Sequence, residues 1–304
     1  MSAAPLRAGT RGRALAAALA LLGAACAHRG ETDIATLASN SDQVIWEAGQ
    51  KALEKHQYEA ARQHFKRIID GFPQSEYGPA ARLALGDSYF QEAGTASYIL
   101  AVAAYREFLT IYPSHPRSDY AQYQIGESYF KQRNSPDRDQ TPTRNALDEY
   151  QRLLELYPSS SFIEKARARI KDCRQSLGRA EFMAGFFYQR TRQSCHAAIA
   201  RYQAILTEYP DYDQLDEVLY RLGECLGLSG RPAEALPHLN RLIEEFPKSE
   251  RVEDAQQLIA DLSRVSPTQP PPSPSPSPAA SPSPSPAAPV PTPTPTPAPQ
   301  PPPL

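Results

Sequence analysis

The feature that most constrains the fold of this chain is an aromatic–proline pair that recurs five times between residues 42 and 264. The pairs are Phe72-Pro73, Tyr112-Pro113, Tyr157-Pro158, Tyr209-Pro210 and Phe246-Pro247. Twelve residues before each proline lies an alanine: Ala61, Ala101, Ala146, Ala198 and Ala235. Four residues after each alanine lies a large side chain: Phe65, Tyr105, Tyr150, Tyr202 and Leu239. Each unit also has a glycine further upstream: Gly49, Gly86, Gly126, Gly185 and Gly223. Five units in register predict a repeat architecture.

The spacing gives each repeated position a physical role. Two antiparallel helices approach closely only where side chains are small, which places glycine on the first helix and alanine on the second. The residue before a proline is disfavoured in the α region, so the second helix should end at each aromatic residue. The pattern resembles the tetratricopeptide repeat, whose Gly-x2-Tyr segment is explicit at Gly86…Tyr89, Gly126…Tyr129 and Gly185…Tyr188. We therefore predict an all-α solenoid of five helix-turn-helix repeats over residues 42–264.

The N-terminal segment, residues 1–25, has the pattern of a secretory signal. It carries Arg7, Arg11 and Arg13, no acidic residue, and an apolar run from Ala14 to Ala25 that is too short to span a bilayer comfortably. Removing this segment moves the formal charge from −2 to −5. Because the net charge is negative and no stretch of the sequence is rich in basic residues, nucleic acid is not an expected partner.

Cys26 ends the apolar run in Leu22-Gly23-Ala24-Ala25-Cys26, which resembles a bacterial lipobox. The resemblance implies a lipid on the Cys26 thiol, although Gly23 stands where leucine is usual. Ala27 rather than aspartate follows, which by the same resemblance favours the outer membrane and its periplasmic face. The alternative is an ordinary secretory signal with an incidental cysteine. Residues 26–41 are then the lipidated cysteine and a linker.

The C-terminal segment, residues 265–304, differs abruptly in composition from the repeats. From Pro267 onward it holds 19 of the 31 prolines and no charged residue. Proline fixes φ and lacks the N–H donor, so neither a helix nor a buried strand can form there. We expect a disordered, extended tail of roughly 120 Å at full stretch.

An eight-residue insertion in the third unit carries a further resemblance. It contains Asp137-Arg138-Asp139-Gln140, and Tyr157-Pro158-Ser159 follows after one helix. Together with Ala180-Glu181-Phe182, Phe187-Tyr188 and the anchored Cys26, these segments are similar to the BamD family of outer membrane assembly lipoproteins. The similarity covers about residues 26–262. We interpret Asp137, Arg138 and Asp139 mainly as structural, either capping the next helix or forming an ion pair.

The resemblance implies a scaffold that helps insert β-barrel proteins into the outer membrane. The implied partners are the periplasmic domains of the barrel-inserting core protein, other assembly lipoproteins, and unfolded barrel substrates. The N-terminal repeats would recognise substrate and the C-terminal repeats would hold the core. The alternative is another envelope repeat lipoprotein, either pilotin-like for secretins or associated with Tol–Pal.

Peptide-groove candidates lie on the predicted first helices of units one to three, where an aromatic-rich groove would suit an extended peptide ending in an aromatic residue. They are Trp46, Gln50, Leu53, Leu83, Asp87, Phe90, Tyr123, Glu127 and Phe130. The alternative for each aromatic is packing between helices.

The sequence offers no site for catalysis, a metal or a cofactor beyond the covalent lipid. The six histidines lack metal-ligand spacing, and no phosphate-binding glycine loop is present. The Cys195-His196 pair could be read as a thiol nucleophile, but adjacent side chains diverge on a helix. No stretch is long enough for a separate catalytic domain. Cys173, Cys195 and Cys225 allow one disulfide or three free thiols, and the sequence does not say which.

Overall fold

A computed structural model of the chain describes residues 41–265. The predicted signal segment, the Cys26 site with its linker, and the proline-rich tail from residue 266 lie outside the described residues. Between Ser41 and Val265 the chain forms eleven helices and no strand. In chain order they are α1 (Asp42–Glu54), α2 (Tyr58–Gly71), α3 (Gly78–Glu92), α4 (Thr95–Ile111), α5 (Ser118–Lys131), α6 (Thr141–Leu156), α7 (Ile163–Arg190), α8 (Cys195–Glu208), α9 (Leu215–Leu228), α10 (Pro232–Glu245) and α11 (Val252–Val265).

The first ten helices form the five predicted units, and each helix packs against the next one along the chain. The eleventh helix, α11, packs on α10 and also touches α9, so it covers the last unit. The buried side chains form successive clusters along the stack. This arrangement confirms the predicted all-α tetratricopeptide-type fold. None of the described helices is long and apolar enough to cross a membrane.

The repeat glycines allow the two helices of a unit to pack, because each lies against the large side chain four residues after the repeat alanine. A Cβ atom added to any of the five glycines would come within 2.5–2.6 Å of that side chain. At Gly126, for example, it would meet the Tyr150 ring. The five repeat alanines are all completely buried. The glycine therefore leaves room for a ring or a leucine on the second helix, while the alanine fills a separate close contact.

The aromatic residue before each repeat proline ends the second helix as predicted. Its backbone has left the α region, with φ near −130° and ψ near 60°, and its N–H still bonds to the carbonyl four residues earlier. For Tyr157 this bond to the Leu153 carbonyl is 2.9 Å long. The steric effect of the proline thus sets the same helix end in all five units.

A polar contact that the sequence analysis did not predict closes three of the units. Ser75, Ser160 and Ser249 lie two residues after a repeat proline, and each hydroxyl donates to an aspartate seven residues before the glycine of its unit. The aspartates are Asp42, Asp119 and Asp216.

In the fourth unit both members of this contact change together. Tyr212 replaces the serine and Gly178 replaces the aspartate. A Cβ at Gly178 would come within 2.8 Å of the Tyr212 ring, so the glycine makes room for the larger side chain.

Candidate interaction surfaces

The nine predicted groove residues lie on α1, α3 and α5, but they are not equally accessible. Leu53, Leu83, Glu127 and Phe130 are buried between helices, and Leu83 is only 1% exposed. Any contact with a peptide therefore depends on the remaining five, which are half-buried: Trp46, Gln50, Asp87, Phe90 and Tyr123.

The half-buried aromatic residues among these candidates are held by neighbouring rings. The Trp46 ring stacks on Tyr77 with centroids 5.8 Å apart, and Tyr123 stacks on Phe162 at 4.8 Å. Each ring also lies near a second aromatic ring, and both rings stay half-buried. Large aromatic residues held in this way lose little conformational entropy on binding, which suits them as anchors for a ligand.

Asp87 has a structural role that the sequence analysis did not predict. The hydroxyls of Tyr105 and Tyr120 both donate to its Oδ1 at 2.6 Å. Burial raises the pKa of the Asp87 carboxyl, and this effect outweighs the two hydrogen bonds and the charge of Arg117, which lower it. Tyr105 is the ring that fills the space beside the repeat glycine, so Asp87 ties the two helices of its unit together.

Glu127 occupies the same position in the next unit, one residue after the repeat glycine, but its carboxylate has a cationic partner. It accepts from the Tyr150 hydroxyl at 2.7 Å, from Tyr123 at 3.1 Å and from Arg169 Nε at 2.8 Å. Burial raises the pKa of Glu127, but the bonds from Arg169 and Tyr150 outweigh it and hold the pKa below its ordinary value. Because Arg169 lies on α7, this carboxylate connects α5, α6 and α7.

The sequence carries a signal for this pairing in the first three units only, since units four and five do not follow it. Tyrosine at the ring position accompanies a carboxylate after the glycine in units two and three. In unit one the ring is Phe65, which has no hydroxyl, and the residue after the glycine is the uncharged Gln50.

Opposite pKa shifts predict opposite responses to removing the two charges. Asp87→Asn keeps an acceptor for Tyr105 and Tyr120, so we expect the free energy of unfolding at pH 7 to change by less than about 1 kcal/mol or to rise. Glu127→Gln leaves Arg169 without its carboxylate and should cost about 1–3 kcal/mol. Denaturant titrations at pH 7 measure the free energy of unfolding of both variants. Equal losses of stability would contradict the different roles assigned to Asp87 and Glu127.

The pH dependence of stability provides a second measurement on the same variants. The pKa of Glu127 in the folded state lies below its unfolded value of about 4.3, so its stabilising effect is present above that pH and is lost as the pH falls through the folded pKa. The pKa of Asp87 lies above about 3.9, so its favourable contribution exists below that pH and is lost as the pH rises through the folded pKa. The deficit of Glu127→Gln should therefore shrink on acidification.

The insertion in the third unit is ordered by its own side chains. Asp139 Oδ1 accepts from the backbone N–H of Thr141, the first residue of α6, at 3.0 Å, and from its hydroxyl at 2.7 Å. Buried Gln140 donates to the carbonyls of Ser135 and Arg138 at 2.8 and 3.1 Å. Asp139 therefore holds the first residue of α6 from one position before the N-cap residue Gln140, whereas Arg138 forms no salt bridge with the described residues. Sequence analysis missed the central role of Gln140.

The exposed side of α7 forms a surface that the sequence analysis did not single out. Met183, Phe186 and Phe187 lie within two turns of this helix and are 38%, 39% and 46% exposed. A cavity of about 610 Å³ lies between this helix and the insertion, lined among others by Asp137, Met183 and Phe187. We call Met183, Phe186 and Phe187 together the α7 surface.

Guanidinium groups surround the α7 surface. Arg192 lies over the Phe187 ring at 5.7 Å, and Arg190 and Arg221 lie over Phe186 at 5.9 and 5.6 Å. Exposed aromatic residues combined with arginines are typical of protein–protein interfaces. The adjacent Phe186 and Phe187 were the available sequence signal for this surface.

Cys173, Cys195 and Cys225 are not joined to one another in the structure, and Cys173 and Cys225 are buried. Burial raises the pKa of the Cys173 thiol to about 12 and also raises that of Cys225. His196 is exposed beside Cys195. Within residues 41–265 no group of three or more His, Cys, Asp or Glu side chains is arranged to hold a metal ion.

Comparisons with known proteins extend over most of the repeats. The family described as "Outer membrane lipoprotein" (YfiO) matches residues 38–230, and a tetratricopeptide repeat family matches residues 195–270. The outer membrane protein assembly factor BamD of Caulobacter vibrioides is 26% identical over 238 residues, covering 78% of this chain and 77% of that protein. BamD of Rickettsia prowazekii is 26% identical over 216 residues, covering 71% of this chain and 84% of that protein.

Among solved structures, the TPR2AB-domain:pHSP90 complex of yeast Sti1 matches 74% of this chain and 83% of the chain in that structure. It is 14% identical, with a TM-score of 0.41, and adds nothing to the assignment of the family. The match over residues 38–230 spans well over half of the chain and confirms the resemblance drawn from the insertion and the repeats. This chain belongs to the YfiO family of outer membrane lipoproteins.

Proposed function

We propose that this chain is a periplasmic scaffold, anchored by lipid on Cys26, that helps assemble β-barrel proteins into the outer membrane. The observation that carries the proposal is the match of the family across the first four repeat units and the first helix of the fifth, together with relatives that are named outer membrane protein assembly factors. A tetratricopeptide solenoid presents extended surfaces to other proteins, which fits a scaffold better than an enzyme. We accordingly propose that it acts by binding, without catalysis and without a cofactor.

The first proposed surface receives unfolded barrel substrates. Trp46, Phe90 and Tyr123 lie on the first helices of units one to three, each half-buried and fixed by a neighbouring ring. Rings held in this way can stack on an aromatic residue at the end of an extended peptide. Gln50 supplies an amide for the peptide backbone. This arrangement supports substrate capture by the N-terminal half.

The second proposed surface binds the periplasmic domains of the barrel-inserting core, together with other assembly lipoproteins. The α7 surface supports this proposal because its three apolar side chains are exposed and bordered by arginines. It belongs to the fourth unit, in the C-terminal half of the solenoid. The two surfaces lie on different units, so substrate and assembly core can bind at the same time.

Depletion of the chain followed by complementation tests the proposal. We expect depletion to reduce the folded fraction of outer membrane β-barrels, measured by the shift in gel mobility between unheated and heated samples. Wild-type chain should restore folding. Cys26→Ser should remain in the soluble periplasmic fraction or as precursor, and should restore folding poorly, because a lipid is needed for stable attachment.

Two results would contradict this proposal. Normal barrel folding after depletion would exclude a role in assembly. Recovery of Cys26→Ser in outer membrane fractions without any bound partner would exclude the lipid on Cys26 as the anchor.

A further inference from the structure

Two of the three free thiols lie together at the junction of the fourth and fifth units. Cys195 is the first residue of α8, and Cys225 lies in the last turn of α9. Because a short turn joins these packed helices, the beginning of α8 lies beside the end of α9. Cys225 is completely buried in a cluster with Ala198 and Ile199, and Cys195 packs against the same cluster. The pKa of the Cys225 thiol is raised first by burial and then by the neighbouring Cys195 thiol.

The third thiol is in a different place. Cys173 is buried in the cluster of the third unit, with Tyr150 and Ala166. It therefore has no access to either of the other two without unfolding of α7. Of the three possible disulfide pairings, the structure favours Cys195 with Cys225.

We propose that Cys195 and Cys225 are joined by a disulfide in the exported protein, and that this bond fastens α8 to α9. The inference rests on the periplasmic location in the proposed function, because the periplasm is an oxidising compartment in which neighbouring thiols become disulfides. The two side chains share one buried cluster at the adjoining ends of neighbouring helices, the placement that a disulfide between packed helices requires. The bond would cross-link the fourth and fifth units through α8, which also packs on the helix that carries the α7 surface.

The oxidation is a thiol–disulfide exchange with a protein disulfide or oxidised glutathione as the oxidant. The Cys195 thiolate attacks one sulfur of the oxidant's disulfide, forms a mixed disulfide and releases the other sulfur as a thiolate, which takes up a proton. The Cys225 thiol then loses its proton, and its thiolate attacks the Cys195 sulfur and displaces the second oxidant thiolate. The two cysteines lose two electrons and two protons, and the oxidant's disulfide gains both.

The exposure of the two thiols determines this order. Cys195 is half-buried and reachable by an oxidant, whereas Cys225 is completely enclosed. Burial also raises the pKa of the Cys225 thiol, so its thiolate is scarce and the second step should be the slower one.

Peptide mapping under non-reducing conditions tests the pairing. The full-length lipoprotein in detergent is incubated with oxidised glutathione, unfolded, and alkylated with a maleimide. We expect alkylation at Cys173 alone and a peptide linking Cys195 to Cys225. Alkylation of all three cysteines, or a linked peptide containing Cys173, would overturn the proposal.

Thermal unfolding supplies the matched controls. The bond closes a loop of about 30 residues, so a reductant should lower the melting temperature of wild type by about 5–10 °C. Cys173→Ser should show the same drop, and Cys195→Ser should show none. If Cys225→Ser fails to fold, Cys195→Ser still decides the result, because its residue is less buried. An equal effect of reductant on wild type and Cys195→Ser would overturn the proposal.

Discussion

Replacing Ala146 by leucine is expected to lower the free energy of unfolding by about 3 kcal/mol, at or beyond the upper end of the usual range for overpacking. Ala146 is completely buried on α6, in the cluster that contains Phe130, Tyr150 and Leu153. The ring of Tyr150 is already confined against Gly126. Because the position is completely enclosed, we expect the added atoms to push α6 away from the helices packed against it. Ala198→Leu should have a similar effect in the fourth unit.

Glu155→Ala is the control for this prediction. Glu155 lies exposed on the same helix as Ala146, so its removal should change stability by less than about 0.5 kcal/mol. Denaturant unfolding of the three variants measures the comparison. Equal unfolding midpoints for Ala146→Leu, Ala198→Leu and Glu155→Ala would show that the repeat register is wrong.

Replacing Phe90 and Tyr123 together by alanine is expected to weaken the binding of barrel-substrate C-terminal peptides by about tenfold or more. Both rings are half-buried on the first helices and would lose their contact with the peptide. Phe130 is a poorer choice for this test, because it is 8% exposed and its ring lies under Arg133 and Arg169. Fluorescence anisotropy with a labelled peptide measures the affinity.

The matched control removes apolar area from the second helices. Ile99 on α4 and Leu156 on α6 are 57% and 59% exposed, so Ile99→Ala with Leu156→Ala should leave peptide affinity unchanged. Binding to the assembly core should survive in both double variants. If the control weakens the peptide as much as Phe90→Ala with Tyr123→Ala does, the first helices do not form the binding site.

The reciprocal variant changes the α7 surface. Met183→Ser with Phe187→Ser should abolish capture of the assembly core while peptide binding remains, because both side chains are exposed and their loss should not unfold the helix. Truncation after Tyr209 removes the fifth unit, but it also uncovers the face of α8 that packs on α9. The point variants therefore separate binding from folding more cleanly. Loss of both activities in both sets of variants would contradict a division between the two halves.

The repeat positions could be predicted from the sequence because each reflects a local steric rule. Proline sets the helix end, glycine admits a ring, and alanine permits a close crossing, so five short patterns are enough to determine ten helices. The length of α7 was not predicted. The repeat proline precedes the next repeat glycine by 13 residues at Pro73, Pro113 and Pro210, but by 27 at Pro158. The extra 14 residues contain no proline, and they continue the helix for about four turns.

The candidate site was less predictable because a position on a repeat does not give the depth of a side chain. Asp87 and Glu127 were assigned to the groove from their distance to the glycine, yet each is held by tyrosine hydroxyls from other helices. The α7 surface was missed for a related reason. Apolar residues on a helix normally indicate the core, and only the packing of neighbouring helices shows that Phe187 is exposed.

Affinity purification of the full-length lipoprotein from detergent-solubilised outer membranes tests the central proposal most directly. Wild type and the variant Met183→Ser with Phe187→Ser are purified side by side, and the co-purifying proteins are identified by mass spectrometry. We predict that the barrel-inserting core protein and other assembly lipoproteins accompany wild type and are depleted from the variant. Recovery of secretin subunits or Tol–Pal components in place of the assembly core would contradict the proposed function.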